Sequence, residues 1–98
     1  MNVISKAHLK QLIAAHPQAE DELLAWNKVA RASDWNSLAD VRLSFPSAGR
    51  AGAVVIFNIL HNQLRLITVA AWRSKRIYVK ALLTHKQYDR KDWMKWAH

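Results

Sequence analysis

The chain has no cysteine. Disulfides and thiolate-bound metal sites are therefore excluded, and the composition leans towards a cytoplasmic location, where disulfides are rare. Glycine and proline occur twice each, so each instance marks a break in an otherwise continuous pattern. Acidic residues are scarce, seven against fifteen Lys and Arg, for a net charge of +8. No long apolar run is present: the longest lies near Ala51–Leu60, whereas a membrane-spanning helix needs about 20 apolar residues. Met1–Glu20 holds Lys6, Lys10 and two histidines among short apolar runs, without the continuous apolar region of a signal peptide. There is no internal repeat and no low-complexity tract.

What is present suits one small folded domain over residues 1–98. About half the residues are apolar and five are tryptophan, enough for a core. The charge is uneven. Residues 1–49 carry five basic side chains against five acidic ones, and residues 50–98 carry ten against only Asp89 and Asp92. The whole excess sits in the second half. Such one-sidedness points to a polyanion partner, nucleic acid being the commonest.

The first half reads as helices. Met1–Ile4 is a short strand or an extended lead. Ser5 is placed to cap a helix bearing Leu9, Leu12 and Ile13 at helical spacing. Pro17 ends that segment and can open the next. Glu20, Asp21 and Glu22 then suit a helix N-terminus, and Lys28 and Arg31 its C-terminus. Ala19, Leu23, Trp26 and Ala30 form its apolar stripe. Ser33 or Asp34 caps a third, shorter segment with Trp35, Leu38, Val41 and Phe45 inward, stopped by Pro46. Ser47–Gly52 is a loop.

After Gly52 the pattern becomes that of strands: Ala53–Leu60, Leu64–Trp72 and Arg76–Thr84. In the last, Ile77, Val79, Ala81 and Leu83 alternate with Arg76, Tyr78, Lys80, Leu82 and Thr84. The links, His61-Asn62 or Leu60–Gln63 for the first and Arg73-Ser74-Lys75 for the second, are too short for anything but antiparallel hairpins. A tight first link pairs Asn58 with Arg65 on one face. The second register stays open, and with it the face of Lys80. His85–His98 is a helical or turn-rich tail. The fold class is α+β: two to three N-terminal helices on one face of a small antiparallel sheet, with a short C-terminal helical segment. The second sheet face is left free.

Three blocks of residues match a known family in order and spacing. The first is Ala25-Trp26, Trp35, Ala39-Asp40 and Phe45-Pro46-Ser47-Ala48. The second is Phe57-Asn58-Ile59, Asn62 and Arg65-Leu66-Ile67. The third is Thr84-His85 with Tyr88-Asp89. The chain resembles the HigB toxins of bacterial toxin–antitoxin modules, a branch of the RelE-like ribonucleases. It departs from them at His61, where the family has Gly, at Leu64, where an aromatic is usual, and at Leu83, where a Gly tends to stand. The resemblance implies a toxin that cuts messenger RNA within codons on the bacterial ribosome, independently of a metal. It implies a HigA-type helix-turn-helix antitoxin as partner, operator DNA being bound only through that antitoxin.

Cutting RNA through its 2′-hydroxyl has three requirements. The hydroxyl must lose a proton, the phosphate charge must be stabilised, and the leaving 5′-oxygen must gain a proton. Arg65 is assigned to the phosphate, His85 to proton transfer, Tyr88 to proton transfer or base stacking, and Asp89 to orienting His85 or acting as base. Asn58, Arg73, Arg76, Lys80, Lys86 and Lys91 are assigned to RNA contact. Each catalytic candidate has a plainer role open to it: Arg65 as a solvated partner of Asn58, His85 as a strand-end cap, Tyr88 as a core-edge aromatic, Asp89 as a turn cap. A basic module that binds RNA or the ribosome without cutting is the alternative function. His8, His16, His61 and His98 lack ligand spacing, so no metal or other cofactor is expected. Trp26 and Trp35 read as core. Trp93 and Trp96 either stack on bases or pack back on the domain.

Overall fold

The computed structural model describes residues 1–5 and 8–97. Lys6 and His98, counted above, lie outside the described residues. The elements follow in the order β1 (Asn2–Ile4), α1 (His8–Ala15), a 3-10 turn (Pro17–Ala19), α2 (Glu20–Ala32), α3 (Leu38–Ser44), β2 (Gly49–Ala51), β3 (Val54–Ile59), β4 (Leu64–Ala71), β5 (Arg76–Thr84), α4 (His85–Asp89) and a second 3-10 turn (Asp92–Trp96). The architecture is α+β, as the pattern predicts.

The expected meander β3–β4–β5 forms the centre of the sheet, and it is extended on both sides to the order β1-β5-β4-β3-β2. β1 runs parallel to β5, with Val3 opposite Ile77. The sheet is therefore mixed rather than purely antiparallel. The connection between β1 and β5 holds α1 to α3 and then β2 to β4, ample for the crossover that a parallel pair requires. The predicted loop Ser47–Gly52 contains a strand, β2, paired antiparallel to β3. The third helix begins at Leu38, after Ser37, later than Ser33 or Asp34 suggested. Trp35 lies ahead of it, buried all the same, and the Asp40 carboxylate accepts from the Asn36 backbone N–H at 2.8 Å.

One sheet face carries the helices. Leu23, Trp26 and Ala30 of α2 and Val41 of α3 pack with Val55, Phe57, Leu66, Ile77, Val79 and Leu82. Phe57 is the aromatic hub, with Trp26 edge-on at 5.2 Å and Phe45 edge-on at 5.2 Å. Burying an aromatic of this size contributes about 2–3 kcal/mol from transfer alone. The Thr68 hydroxyl, in the same interior, donates to the Val55 carbonyl at 2.8 Å, which satisfies a buried polar group.

The second face is not free. Val54, Ile56 and Ile67 pack there against Trp93, with Val69, Ala81, Leu83 and Trp96 around them. The reason is visible in β3, whose Val54-Val55-Ile56-Phe57 run is apolar on both faces and buried on both. The tail folds back to supply the cover. The Ala53 N–H donates to the Ala97 carbonyl at 3.2 Å. Gly52 allows this approach: its φ is +58°, and a Cβ there would stand 2.0 Å from the Ala97 oxygen.

Strand β5 also departs from simple alternation. Ile67 pairs with Ala81 but Thr68 pairs with Val79, so Lys80 is an extra residue. This bulge switches the faces of the strand. Ile77 and Val79 before it, and Leu82 after it, face the helices, while Ala81 and Leu83 face the tail. The single face Ile77, Val79, Ala81, Leu83 expected from period two is thus split in two. The bulge is anchored from α1: His8 Nε2 donates to the Lys80 carbonyl at 2.8 Å.

Candidate active site

The site forms where β4 begins and β5 ends. Asn58 is paired with Arg65, as the short link predicts, and Arg65 is paired in turn with Leu83 of β5. The link itself spans Leu60–Gln63. Leu60, His61 and Asn62 all have left-handed backbones, with φ of 53°, 51° and 74°. Non-glycine residues pay about 1–2 kcal/mol each for that conformation, so neighbouring contacts must hold them. Two do. The Leu60 N–H donates to the Glu22 carboxylate of α2 at 2.9 Å, and the Gln63 N–H donates to the Leu60 carbonyl at 3.0 Å.

This strained turn orients Arg65. Its Nη1 donates to the Asn62 carbonyl at 2.7 Å and to the Leu64 carbonyl at 3.3 Å. Its guanidinium carbon lies 5.5 Å from the Tyr88 ring centroid, within cation–π range. Asn58 does not share its side chain with Arg65. Its amide donates to the Ser47 carbonyl at 3.4 Å instead.

α4 brings the other candidates. Thr84 caps it in a reciprocal box with Gln87: the Gln87 N–H donates to the Thr84 hydroxyl, and the Thr84 N–H donates to the Gln87 side-chain oxygen. His85 and Lys86 stand exposed in its first turn. Tyr88, half-buried one turn on, stacks on Trp93 at 5.1 Å with the rings 8° from parallel. The Trp93 indole N–H donates to the Tyr88 carbonyl at 3.0 Å. Trp93 is thus core, as one of its two sequence readings had it, and it is also the support beneath Tyr88. Asp89 is exposed. Among the described residues the one ion pair is Lys75 with Asp34, so neither Asp89 and His85 nor Asp89 and Arg65 are joined.

The basic candidates separate along the sheet. Lys80 rises on the side of Tyr78, its Nζ 5.8 Å from that ring. Tyr78 pairs with Val69, which shares a strand face with Arg65, so Lys80 lies on the Arg65 side. Lys91 occupies a left-handed junction between α4 and the last turn, with φ of 61°. Arg73 sits in the β4–β5 turn and Arg76 opposite Ala71, about 20 Å from Arg65 at the rise of a strand. At that far end Lys75 holds Asp34 at 2.9 Å, bonds the Asn36 side chain, and donates to the Trp35 carbonyl at 3.3 Å. The hydrogen bond and charge of Lys75 hold the Asp34 carboxyl below its usual pKa.

Sequence reasoning missed the capping role of Gln87 and gave no role to Asp92, which lines a cleft with Arg90 and Trp96. The spacing Thr84-x-x-Gln87 was the available signal for the first. Among the described residues no three His, Asp or Glu side chains converge as metal ligands would, and no helix is long and apolar enough to cross a membrane.

A helical layer on a mixed sheet, with the Arg65 guanidinium held against the Tyr88 ring beside the first turn of α4, defines a small basic α+β domain. Residues 19–91 match the HigB toxin family, described as the RelE-like toxic component of a toxin–antitoxin system, and the chain belongs to that family. Membership implies an antitoxin partner. The chain is 26% identical over 92 residues to the mRNA interferase toxin HigB of Escherichia coli strain K12, covering 91% of this chain and 88% of that protein. It is equally similar to the mRNA interferase HigB of Shigella flexneri. It is 25% identical over 93 residues to the mRNA interferase HigB of Escherichia coli O6:H1, covering 92% and 90%.

Proposed function

We propose that this chain acts, as one domain, as an endoribonuclease toxin that cuts messenger RNA on the bacterial ribosome in the cytoplasm. The observation that carries the reading is the Arg65 guanidinium, fixed by the Asn62 carbonyl and the Tyr88 ring beside the first turn of α4. Arg65 keeps further N–H donors for a phosphate, which its planar fork matches.

In the proposed reaction the 2′-oxygen attacks the adjacent phosphorus as its proton leaves. The bond from phosphorus to the 5′-oxygen breaks, and that oxygen takes up a proton. Arg65 carries the charge of the transition state, and Lys80 supports it from the same side of the sheet. His85 transfers a proton, while the Tyr88 hydroxyl transfers the other or its ring stacks on a base. Asp89, apart from His85 in the free chain, serves as base or closes on His85 when RNA binds, since catalytic hydrogen bonds often tighten only in the complex. Asn58, Lys86 and Lys91 contact RNA near the cut, and Arg73 and Arg76 follow the strand further out. A HigA-type helix-turn-helix antitoxin is the assigned partner, with operator DNA bound through it.

The test is to map messenger ends in cells expressing the wild type, Arg65→Ala or His85→Ala. New ends in the wild type alone support the reading. Growth arrest by all three without new ends replaces it with a basic module that blocks translation by binding.

A further inference from the structure

Glu22 stands in the first turn of α2, where an acid suits the helix dipole. Its carboxylate also reaches out of the helix. Oε2 accepts the Leu60 backbone N–H at 2.9 Å, across 38 positions of chain. The helix holds the acid in place, because Leu23 and Trp26, further along α2, are buried against the sheet.

The bond falls on the entry to a strained turn. Leu60, His61 and Asn62 are left-handed in succession, and none is glycine. Left to itself, such a turn relaxes towards right-handed or extended backbone. Leu60 is held twice: its side chain packs on the main core, and its N–H is bound by Glu22. At the exit of the turn, the Asn62 carbonyl accepts from Arg65 Nη1 at 2.7 Å. Two residues separate the held N–H from that carbonyl. A rotation of the backbone at Leu60 would therefore carry the carbonyl, and with it the guanidinium, off the Tyr88 ring.

We propose that Glu22 is a positioning residue for Arg65: it fixes the turn whose carbonyl aims the guanidinium. The assignment rests on the nuclease reading above and extends its machinery from the basic half of the chain into the helical layer. Glu22 does not itself meet RNA, since a carboxylate repels phosphate. It acts through the Leu60 N–H, the turn and the Asn62 carbonyl.

The test compares the full chain as wild type, Glu22→Ala, Glu22→Gln and Asp21→Ala. The last removes an equal charge from the same helix turn and leaves the bond. Steady-state cutting of messenger on translating ribosomes gives kcat and KM, and NMR gives the exchange of the Leu60 amide and the Arg65 guanidinium signals. Glu22 is exposed, so the variants should fold. Glu22→Ala is expected to lower kcat about tenfold with KM nearly unchanged, because a misaimed charge is felt in the transition state. The Leu60 amide should exchange faster, and the Arg65 signals should move. Glu22→Gln keeps an oxygen that accepts the same N–H and should restore most of kcat, while Asp21→Ala should match the wild type. In an Arg65→Ala background Glu22→Ala should cost nothing more, because its route runs through that side chain. A further loss in that background overturns the proposal. So do equal losses for Glu22→Gln and Glu22→Ala, a loss as large for Asp21→Ala, or Arg65 signals that stay in place. If the wild type cuts no messenger, the nuclease reading fails, and the NMR arm alone decides whether Glu22 aims Arg65.

Discussion

The Arg65 guanidinium lies over the Tyr88 ring, 5.5 Å from its centroid, although the two residues come from a strand and a helix 23 positions apart. Tyr88 is itself fixed by Trp93 through ring stacking and a backbone hydrogen bond. A buried tail residue thus sets where the principal cation points. Arg65→Ala is expected to lower messenger cutting by about 10²–10³-fold, the scale for loss of one preorganised charge donor. Circular dichroism should stay unchanged, because the side chain is only half-buried. Arg65→Lys keeps the charge and loses the fork, so it should fall between.

Tyr88→Phe separates hydroxyl from ring. The stack on Trp93 and the contact with Arg65 need only the ring, so the melting temperature should hold. Cutting should fall by about 100-fold or more if the hydroxyl moves a proton. Single-turnover cleavage on translating ribosomes reads this, and retained cutting assigns the role to the ring.

Gly52→Ala should dislodge the tail. The new methyl would meet the Ala97 carbonyl, and the backbone there has positive φ. The expected loss is about 1–3 kcal/mol, measured by urea unfolding. Exposure of Trp93 should shift tryptophan fluorescence to the red, and toxicity should drop because Tyr88 loses its support.

His61→Gly should stabilise the chain by up to about 1 kcal/mol, since glycine adopts the left-handed conformation of this position without steric penalty. The gain is partly offset by the greater freedom of glycine in the unfolded state. A urea midpoint that falls instead would mean that the His61 side chain makes a contact the turn depends on.

The Asp34–Lys75 pair makes stability depend on pH. The folded chain holds the Asp34 carboxyl below its usual pKa. Its contribution is therefore present above the ordinary carboxylate pKa and is lost as pH falls through the lowered one. Asp34→Asn should melt earlier than the wild type at neutral pH, and the two should converge in acid. Added salt should also narrow the gap, because the pair is exposed.

Much of the site was legible in the chain. The short link after Ile59 forced the Asn58–Arg65 pairing, because a tight hairpin leaves few registers. The Thr84-x-x-Gln87 spacing encodes the cap that starts α4 at His85. The apolar Val54–Phe57 run already signalled a strand covered on both faces, so a free second face was the wrong expectation. The bulge at Lys80 had no such signal. It adds one residue to β5 opposite β4, and the bond that anchors it comes from His8 on a helix at the other end of the chain.

The sequence by itself determined that helices come first and the β3–β4–β5 meander follows, the placement of the charge and the Asn58–Arg65 register. Each of these follows from residues within a few positions of one another, through periodicity, turn length or simple count. Only the tertiary structure decided that β1 joins β5 in parallel, that Lys80 shares the Arg65 side, and that Trp93 holds Tyr88 under Arg65. Those outcomes depend on which distant segments cover which face of the sheet. Burial of apolar surface has no direction along the chain, so local pattern alone does not specify its partners.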